Sequence, residues 1–359
     1  MATGRTVGRR TPTLARVQRP PTIYDVARAA GVAPSTVSRA FSRPGRVNVR
    51  TAEHIRAVAM DLGYHTNPFA RGLSTSRNNL LAIVVPDITN PFFFEIIRGA
   101  ESAAAEAGYT LVLSDTQESA RLERLALERT LPMVDGVLLA STRMTDAGIR
   151  THAKQKPLLV LNRAVADTPS VVTDNHLGTR RAAEHLAGLG HRSVTYVAGP
   201  EASWADASRW LALRDAAAEV GLRVRRVGPH QPTLVGGAQA VEGFLASRAT
   251  AALCYNDILA VGLMRGLRST RVTVPDDVSV VGFDNTLEAE LVEPGLTTVS
   301  APLRALGATG VQNLVARLNG ARTGSTEPVV LPAALVVRGS TGAPRPRQGR
   351  APAITAKSA

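Results

Sequence analysis

The sequence predicts an α/β protein, with a small helical unit at the amino end and a large core of parallel sheets in two lobes. Three observations predict it. Thr22–Phe41 reads as two short helices joined at a glycine. From Leu80 the pattern changes to short runs rich in Leu and Val that alternate with amphipathic stretches, as repeated βα units do. Between these regions, residues 67–79 are polar and broken by Pro68 and Gly72, so they hold no stable helix alone in water. At 359 residues the chain has room for two or three domains with large cores.

In the first helix Val26, Ala27 and Ala30 make one apolar face, and Gly31 follows where a left-handed backbone is easiest for glycine. Pro34 sits where a second helix begins, because its missing N–H would be unpaired there anyway. Val37 and Phe41, four apart, give that helix its buried side and leave Ser35, Ser38 and Arg39 on its other faces. Two helices around a glycine turn, the second polar outward, make a helix-turn-helix. A third helix follows, with Asn48 as N-cap and Glu53 in its early turns. Ile55, Val58, Ala59 and Leu62 are spaced to pack on the first two helices, and Gly63 ends it.

In the core, strands are expected at Leu80–Val85, Tyr109–Leu113, Gly136–Ala140, Pro157–Leu161, Ser193–Ala198, Thr250–Cys254 and Val278–Gly282. Helices are expected at Phe92–Ala107, Ser119–Leu131, Ala205–Val220, Gly236–Ala246 and Ile258–Leu267. These are too many strands for one compact sheet, and a break near Val171–Asn175 divides them into two similar lobes with a cleft between. Ligands of open parallel sheets sit beyond the carboxyl ends of the strands. Asp284, Asn256 and the pair Asn162 and Arg163 all follow strands. An amide offers donors and an acceptor to a hydroxyl. Phe92 and Phe93 open the first core helix and suit either a stack on a flat sugar face or base, or the core itself. Asp257, at a helix start, reads as an N-cap.

The net charge is +13, which suits a polyanionic partner. Residues 1–20 carry five arginines and no acid, and 339–359 are also basic; both lack apolar periodicity and are expected to be disordered tails. The single cysteine, Cys254, excludes a disulfide within the chain and a cysteine-based metal site, which fits a reducing cytoplasm. No apolar segment follows the amino-terminal arginines, so no signal peptide is expected, and no apolar run is long enough for a membrane span. There is no Gly-x-Gly-x-x-Gly after a strand, no phosphate-binding P-loop, no nucleophile elbow and no spaced His/Cys cluster. No cofactor and no metal are therefore expected, and an enzyme reading is poor. His185 and His191 flank a helix end and read as capping or packing groups.

The stretch Thr22-x-Tyr-Asp-Val-Ala-x-x-Ala-Gly-Val-x-x-x-Thr36-Val-Ser-Arg39 resembles the headpiece of the LacI/GalR family of bacterial transcription regulators. The resemblance continues through Pro86-Asp-Ile-Thr-Asn-Pro-Phe-Phe93, Asp174-Asn175, Glu184-His-Leu-Ala-Gly-Leu-Gly-His191, Asn256-Asp257, Val281-Gly-Phe-Asp-Asn285 and Leu296-Thr-Thr298. It implies a core like that of periplasmic sugar-binding proteins, in which the chain crosses between lobes three times. Returns are then expected near Leu296–Ala301 and Thr326–Val329. The implied organisation is a basic tail (1–20), a helix-turn-helix headpiece (21–66), a hinge segment (67–79), a core (80–338) and a tail (339–359). Lobe one takes about 80–173 and 301–325, and lobe two about 174–297 and 328–338.

The resemblance also implies roles. Pro34, Ser35, Thr36 and Arg39 would approach base edges in the major groove, with Arg39 the guanine reader. Thr22, Tyr24 and Asn48 would contact phosphates. Asn67, Ala70 and Leu73 match the family's hinge, which orders on DNA and wedges a leucine into the minor groove. Arg209 falls at the family's ligand-contacting arginine, and Asp284 at a carboxylate that accepts from ligand hydroxyls. The implied protein is a repressor that binds double-stranded operator DNA as a homodimer under a small-molecule effector, a sugar first and a nucleoside or base second. No carboxyl-terminal leucine heptad suggests a tetramer. A binding receptor without a DNA role would need the core alone, and the headpiece argues against it. Four positions depart from the family pattern: Ala33 where serine usually caps the recognition helix, Thr66 where proline is common, Ala205 at an often polar position, and Pro232 at an often aromatic one.

Overall fold

A computed structural model describes residues 19–42, 45–64, 77–321 and 327–345. The chain forms two units, Met1–Asn78 and Asn79–Ala359. Asn67, Ala70 and Leu73 lie outside the described residues, as do 1–18 and 346–359 of the expected tails.

The first unit holds α1 (Ile23–Ala29), α2 (Pro34–Ser42) and α3 (Val49–Asp61). Asp25 starts α1 by accepting the Thr22 N–H at 2.8 Å and the Thr22 hydroxyl at 2.6 Å, which also places an acid in the first turn. Gly31 turns the chain at φ 67. Pro34 is the first residue of α2, and Ala33 supplies a carbonyl to Thr36 and Val37 but no side-chain cap. Asn48 caps α3 by accepting the Arg50 N–H at 3.0 Å. Val26, Val37, Ala40 and Ile55 form the small core. Ala40, rather than Phe41, completes the buried side of α2; Phe41 is half-buried and tilts against Tyr64, 6.1 Å between ring centres.

The second unit builds two sheets. The first contains β1 (Leu80–Val85), β2 (Thr110–Asp115), β3 (Gly136–Ala140), β4 (Leu158–Leu161), β5 (Ser170–Thr173) and β11 (Val329–Leu331), in the order β11-β5-β4-β3-β1-β2 and all parallel. The second contains β6 (Ser193–Val197), β7 (Arg223–Val227), β8 (Ala251–Cys254), β9 (Ser279–Asp284), β10 (Thr297–Ser300) and β12 (Ala334–Val336), in the order β12-β10-β9-β8-β6-β7. Only β12, against β10, is antiparallel among these pairings. The helices α4 (Phe92–Glu106), α5 (Ala120–Thr130), α6 (Asp146–Ala153), α7 (Asn175–Gly188), α8 (Trp204–Val220), α9 (Leu234–Ser247), α10 (Asp257–Ser269), α11 (Leu287–Leu291) and α12 (Leu303–Leu318) cover the sheets. In each sheet the winding reverses beside the first strand, so each lobe has a switch point facing the carboxyl ends of its strands.

The chain crosses from lobe one to lobe two at Asp174, back at Ala301–Pro302, and forward again at Pro332–Ala333. The last crossing falls later than Thr326–Val329, because β11 joins the first sheet beside β5 before the chain leaves it. The Asp174 N–H donates to the Leu331 carbonyl at 2.8 Å, which ties two crossings together. Residues 339–345 are also not a loose tail. Ser340 is fully buried and donates to the Val280 carbonyl at 2.6 Å. His191, a packing group, sits within 3.0 Å of both Ser279 Oγ and the Gly342 carbonyl. Among the described residues no helix is long and apolar enough to cross a membrane, and no group of three His, Cys, Asp or Glu could hold a metal.

Candidate functional site

In the headpiece, the outer face of α2 is polar and open. Ser35, Ser38 and Arg39 are exposed, Pro34 and Thr36 half-buried, and Tyr24 is 66 % exposed at the start of α1. Arg39 makes no ion pair among the described residues.

In the core, the carboxyl ends of the second sheet gather a buried polar cluster around Arg209, which α8 brings in. Arg209 is 2 % exposed. It donates Nε to Asn175 Oδ1 at 3.1 Å, Nη1 to the Tyr255 carbonyl at 2.5 Å and Nη2 to Asp284 Oδ1 at 3.2 Å. Its guanidinium carbon lies over Phe283, 3.5 Å from the ring centre, a contact that favours a desolvated cation. Asp206, a neighbour on the same helix, is not its partner; that carboxylate accepts from Gly199 N, Tyr196 Oη and Arg226. Asp284 is the last residue of β9, two residues beyond the expected end of that strand, and holds φ 114. Burial lifts its pKa to about 7, against the pull of Arg209.

Asn256, rather than Asp257, is the N-cap of α10, accepting the Leu259 N–H at 3.1 Å. Asp257 is fully buried and accepts from the Thr298 hydroxyl at 2.5 Å and the Thr286 N–H at 2.7 Å. Burial first, and then the charge of Asp284, lift its pKa to about 8.

Lobe one contributes Asn162 and Arg163. Asn162 holds φ 59 and donates Nδ2 to Ser141 Oγ at 3.0 Å, while its Oδ1 has no partner among the described residues. Arg163 is turned into its own lobe, onto the Thr142 and Met144 carbonyls and Asp146. Phe92 and Phe93 are core side chains, 5 % and 2 % exposed, stacked edge to face among Leu81, Ile83 and Ile96. Thr173 Oγ1 and Asn175 Nδ2 are two further buried polar atoms without partners at the ends of these strands. Buried polar atoms are normally paired, so these atoms, unpaired among the described residues, have hydrogen-bonding capacity to spare.

Sequence reasoning missed Arg143, Glu118, Tyr255 and Ser203. Arg143 follows β3 and grips Glu118 with two hydrogen bonds, 2.5 and 3.1 Å. Burial lowers its pKa, but Tyr255 and Glu118 outweigh that and hold it above the ordinary arginine value. Tyr255 stands on the second lobe, its phenol 3.0 Å from Ser203 Oγ of that same lobe, and it also acts on Arg143 of the first. Gly199 makes room for it: a Cβ there would lie 2.4 Å from the ring. Their position at strand ends was the available signal, but nothing in the spacing pairs residue 118 with 143 or 143 with 255.

Twin doubly wound lobes with a buried polar cluster at the carboxyl ends of their strands, in a chain that also carries a helix-turn-helix, define a small-molecule-sensing DNA-binding protein. Comparison with known proteins agrees. Residues 22–67 match a profile described as bacterial regulatory proteins, lacI family, and residues 183–341 match a periplasmic binding protein-like domain. The HTH-type transcriptional regulator DegA of Bacillus subtilis is 32 % identical over 336 residues, covering 89 % of this chain and 98 % of that one. The crystal structure of the lac repressor dimer bound to operator and the anti-inducer ONPF superposes with a TM-score of 0.82 at 28 % identity, covering 90 % of this chain and all of that one. The complex of the transcriptional regulator CelR with cellobiose gives 0.65 at 30 % identity, covering 89 % and 99 %. The chain belongs to the LacI family of bacterial transcription regulators.

Proposed function

We propose that this chain is a cytoplasmic repressor that binds a pseudo-palindromic operator as a homodimer and answers to a neutral, hydroxylated effector, a sugar before a nucleoside or base. The cluster of Arg209, Asn175 and Asp284 carries the effector reading. A guanidinium fork and a carboxylate side by side complement vicinal hydroxyls, which donate to one and accept from the other. Arg209 is matched by Asp284 and Arg143 by Glu118. With each guanidinium already paired to an acidic side chain, an uncharged ligand suits the cleft better than an anion. The cellobiose bound by CelR is such a molecule. Asn256 and Asn162 are assigned to the cleft's buried polar wall. Arg163, Phe92 and Phe93 shape it from behind.

On the DNA side, Ser35 and Arg39, with Pro34 and Thr36, are assigned to base edges, and Thr22, Tyr24 and Asn48 to phosphates. Asn67, Ala70 and Leu73 are assigned to the minor groove at the operator centre. A thermal-shift screen of sugars, nucleosides and organic acids tests the effector class, since a ligand bound only by the folded state raises Tm. The expected hit is a neutral polyol whose shift disappears in Asp284→Ala. A hit that shifts wild type and Asp284→Ala alike contradicts the site, and no preference for any symmetric duplex over random DNA contradicts the operator reading.

A further inference from the structure

The edge strand β7 carries arginines on both faces of its sheet, and the two faces treat them differently. Arg226 lies on the side of α8 and pairs with buried Asp206 at 2.6 Å. Arg223 and Arg225, two apart, share the opposite face. Their register partners on β6 are Ser193 and Thr195, so two guanidiniums and two hydroxyls form a rectangle on one face. Neither Arg223 nor Arg225 has a side-chain hydrogen bond or ion pair among the described residues.

The turn after α9 closes over this rectangle. Ser247 Oγ lies 2.6 Å from Thr195 Oγ1, donates to the Phe244 carbonyl and accepts the Ala249 N–H, which pins the turn to the sheet. The next residue, Arg248, ends α9 at φ 56. Glycine holds this left-handed position at the ends of α1, α3, α4, α7, α8 and α12, through Gly31, Gly63, Gly108, Gly190, Gly221 and Gly320. A side chain there is strained, and the turn sets Arg248 at the border of the hollow. Arg271, after α10, is placed likewise and borders a different, more apolar hollow.

Arg223, Arg225, Arg248 and Ser193 border a cavity of about 420 Å³ with no carboxylate in its wall. Charges along an edge strand keep other strands away. That accounts for β7, but not for a third arginine delivered to the same hollow by a separate element. The hollow lies at the amino ends of β6, β7 and β8, whereas Asp284, Tyr255 and Gly199 lie at the carboxyl ends of their strands. The two sites are therefore distinct.

We propose that this hollow is a second ligand site and takes a small phosphorylated metabolite. Guanidinium forks match phosphate oxygens two at a time, and Arg223 and Arg225, with no acid in the cavity wall beside them, leave a positive charge that a dianion neutralises. The volume falls within the range of small-molecule pockets and exceeds what one phosphate group fills, so the ligand has an organic part.

Calorimetric titration of the full-length protein with glucose 6-phosphate, and separately with inorganic pyrophosphate, at constant ionic strength tests this. The expected result is saturable binding of both, weakened at least tenfold in Arg223→Ala/Arg225→Ala and unchanged in Asp284→Asn. Arg248→Gly gives an independent reading. It should raise Tm, because glycine relaxes the left-handed turn, while weakening both probes at least threefold. Absence of saturable binding, binding that survives the double substitution, or binding lost in Asp284→Asn overturns the proposal.

Discussion

Asp257 and Asp284 share one buried neighbourhood, and their protons couple the fold to pH. Burial lifts Asp257 from 3.8 to about 8 and Asp284 to about 7. A carboxyl with a raised folded pKa holds an extra proton in the folded state. Its stabilisation is complete below the unfolded pKa and is lost as pH rises toward the folded one. His191, buried, and His185 and His230, half-buried, run the other way: burial lowers them from 6.5, so their stabilisation is lost as pH falls below that value. Above pH 6.5 the carboxyls therefore dominate this balance. Asp257→Asn keeps both contacts, its oxygen accepting from Thr286 N and its amide donating to Thr298 Oγ1. Urea unfolding at pH 6.5 and 8.5 should show wild type losing on the order of 1–2 kcal/mol more than Asp257→Asn over that interval. Equal losses would mean Asp257 is already ionised in the native protein. On the headpiece, Arg39 stands exposed on the outer face of α2. Arg39→Ala should weaken discrimination at one base pair per half-site by about 1–3 kcal/mol in competition gel shifts. A uniform loss on every sequence would reassign Arg39 to the phosphates.

At the scale of elements, α4 and α12 meet backbone to backbone. A Cβ on Gly307 would lie 2.0 Å from the Ile96 carbonyl oxygen, and one on Gly99 would lie 2.0 Å from that of Arg304. One glycine within the first turns of each helix thus lets the axes approach, and no flexible side chain can yield. Gly307→Ala should destabilise the core by about 1–3 kcal/mol, at the upper end because a main chain must move. Chemical denaturation checks it, and a change below about 0.5 kcal/mol would show the two helices free to separate. Elements like these divide by how much of themselves they show in sequence. β1, β3 and β8 are buried throughout or nearly so and announce themselves as apolar runs. β7 is an edge strand of alternating exposure, mostly arginine, and carries no such run. β11 and β12 are three residues each and owe their place to neighbours β5 and β10 far earlier in the chain. The segment through Ser340 looked like tail because its fixings are hydrogen bonds to Val280 and Thr297 rather than apolar contacts.

For the whole molecule, the site is a set of long-range meetings, which is why only its individual members were legible. Arg209 and Asp284 stood out by position, yet Arg209 draws partners 34, 46 and 75 residues away, and no local spacing encodes that. The same holds for the link between the lobes. The Tyr255 phenol touches Ser203 on its own lobe and acts on Arg143 of the other. This hydroxyl favours the lobes together, and an effector that needs the cleft open must work against it. A ligand gains apparent affinity when the state that excludes it loses stability. Tyr255→Phe removes the hydroxyl but leaves Arg143 held by Glu118, and Ser203 still caps the Asp206 N–H. The unliganded core should therefore weaken by about 1 kcal/mol. Effector should then bind roughly three- to tenfold more tightly, since up to 1.4 kcal/mol separates the two states differently. Calorimetry with the hit from the thermal-shift screen, beside denaturation without ligand, reads both quantities. Weaker effector binding in Tyr255→Phe would make the phenol a ligand contact, and unchanged values for both would leave the lobes independent of it.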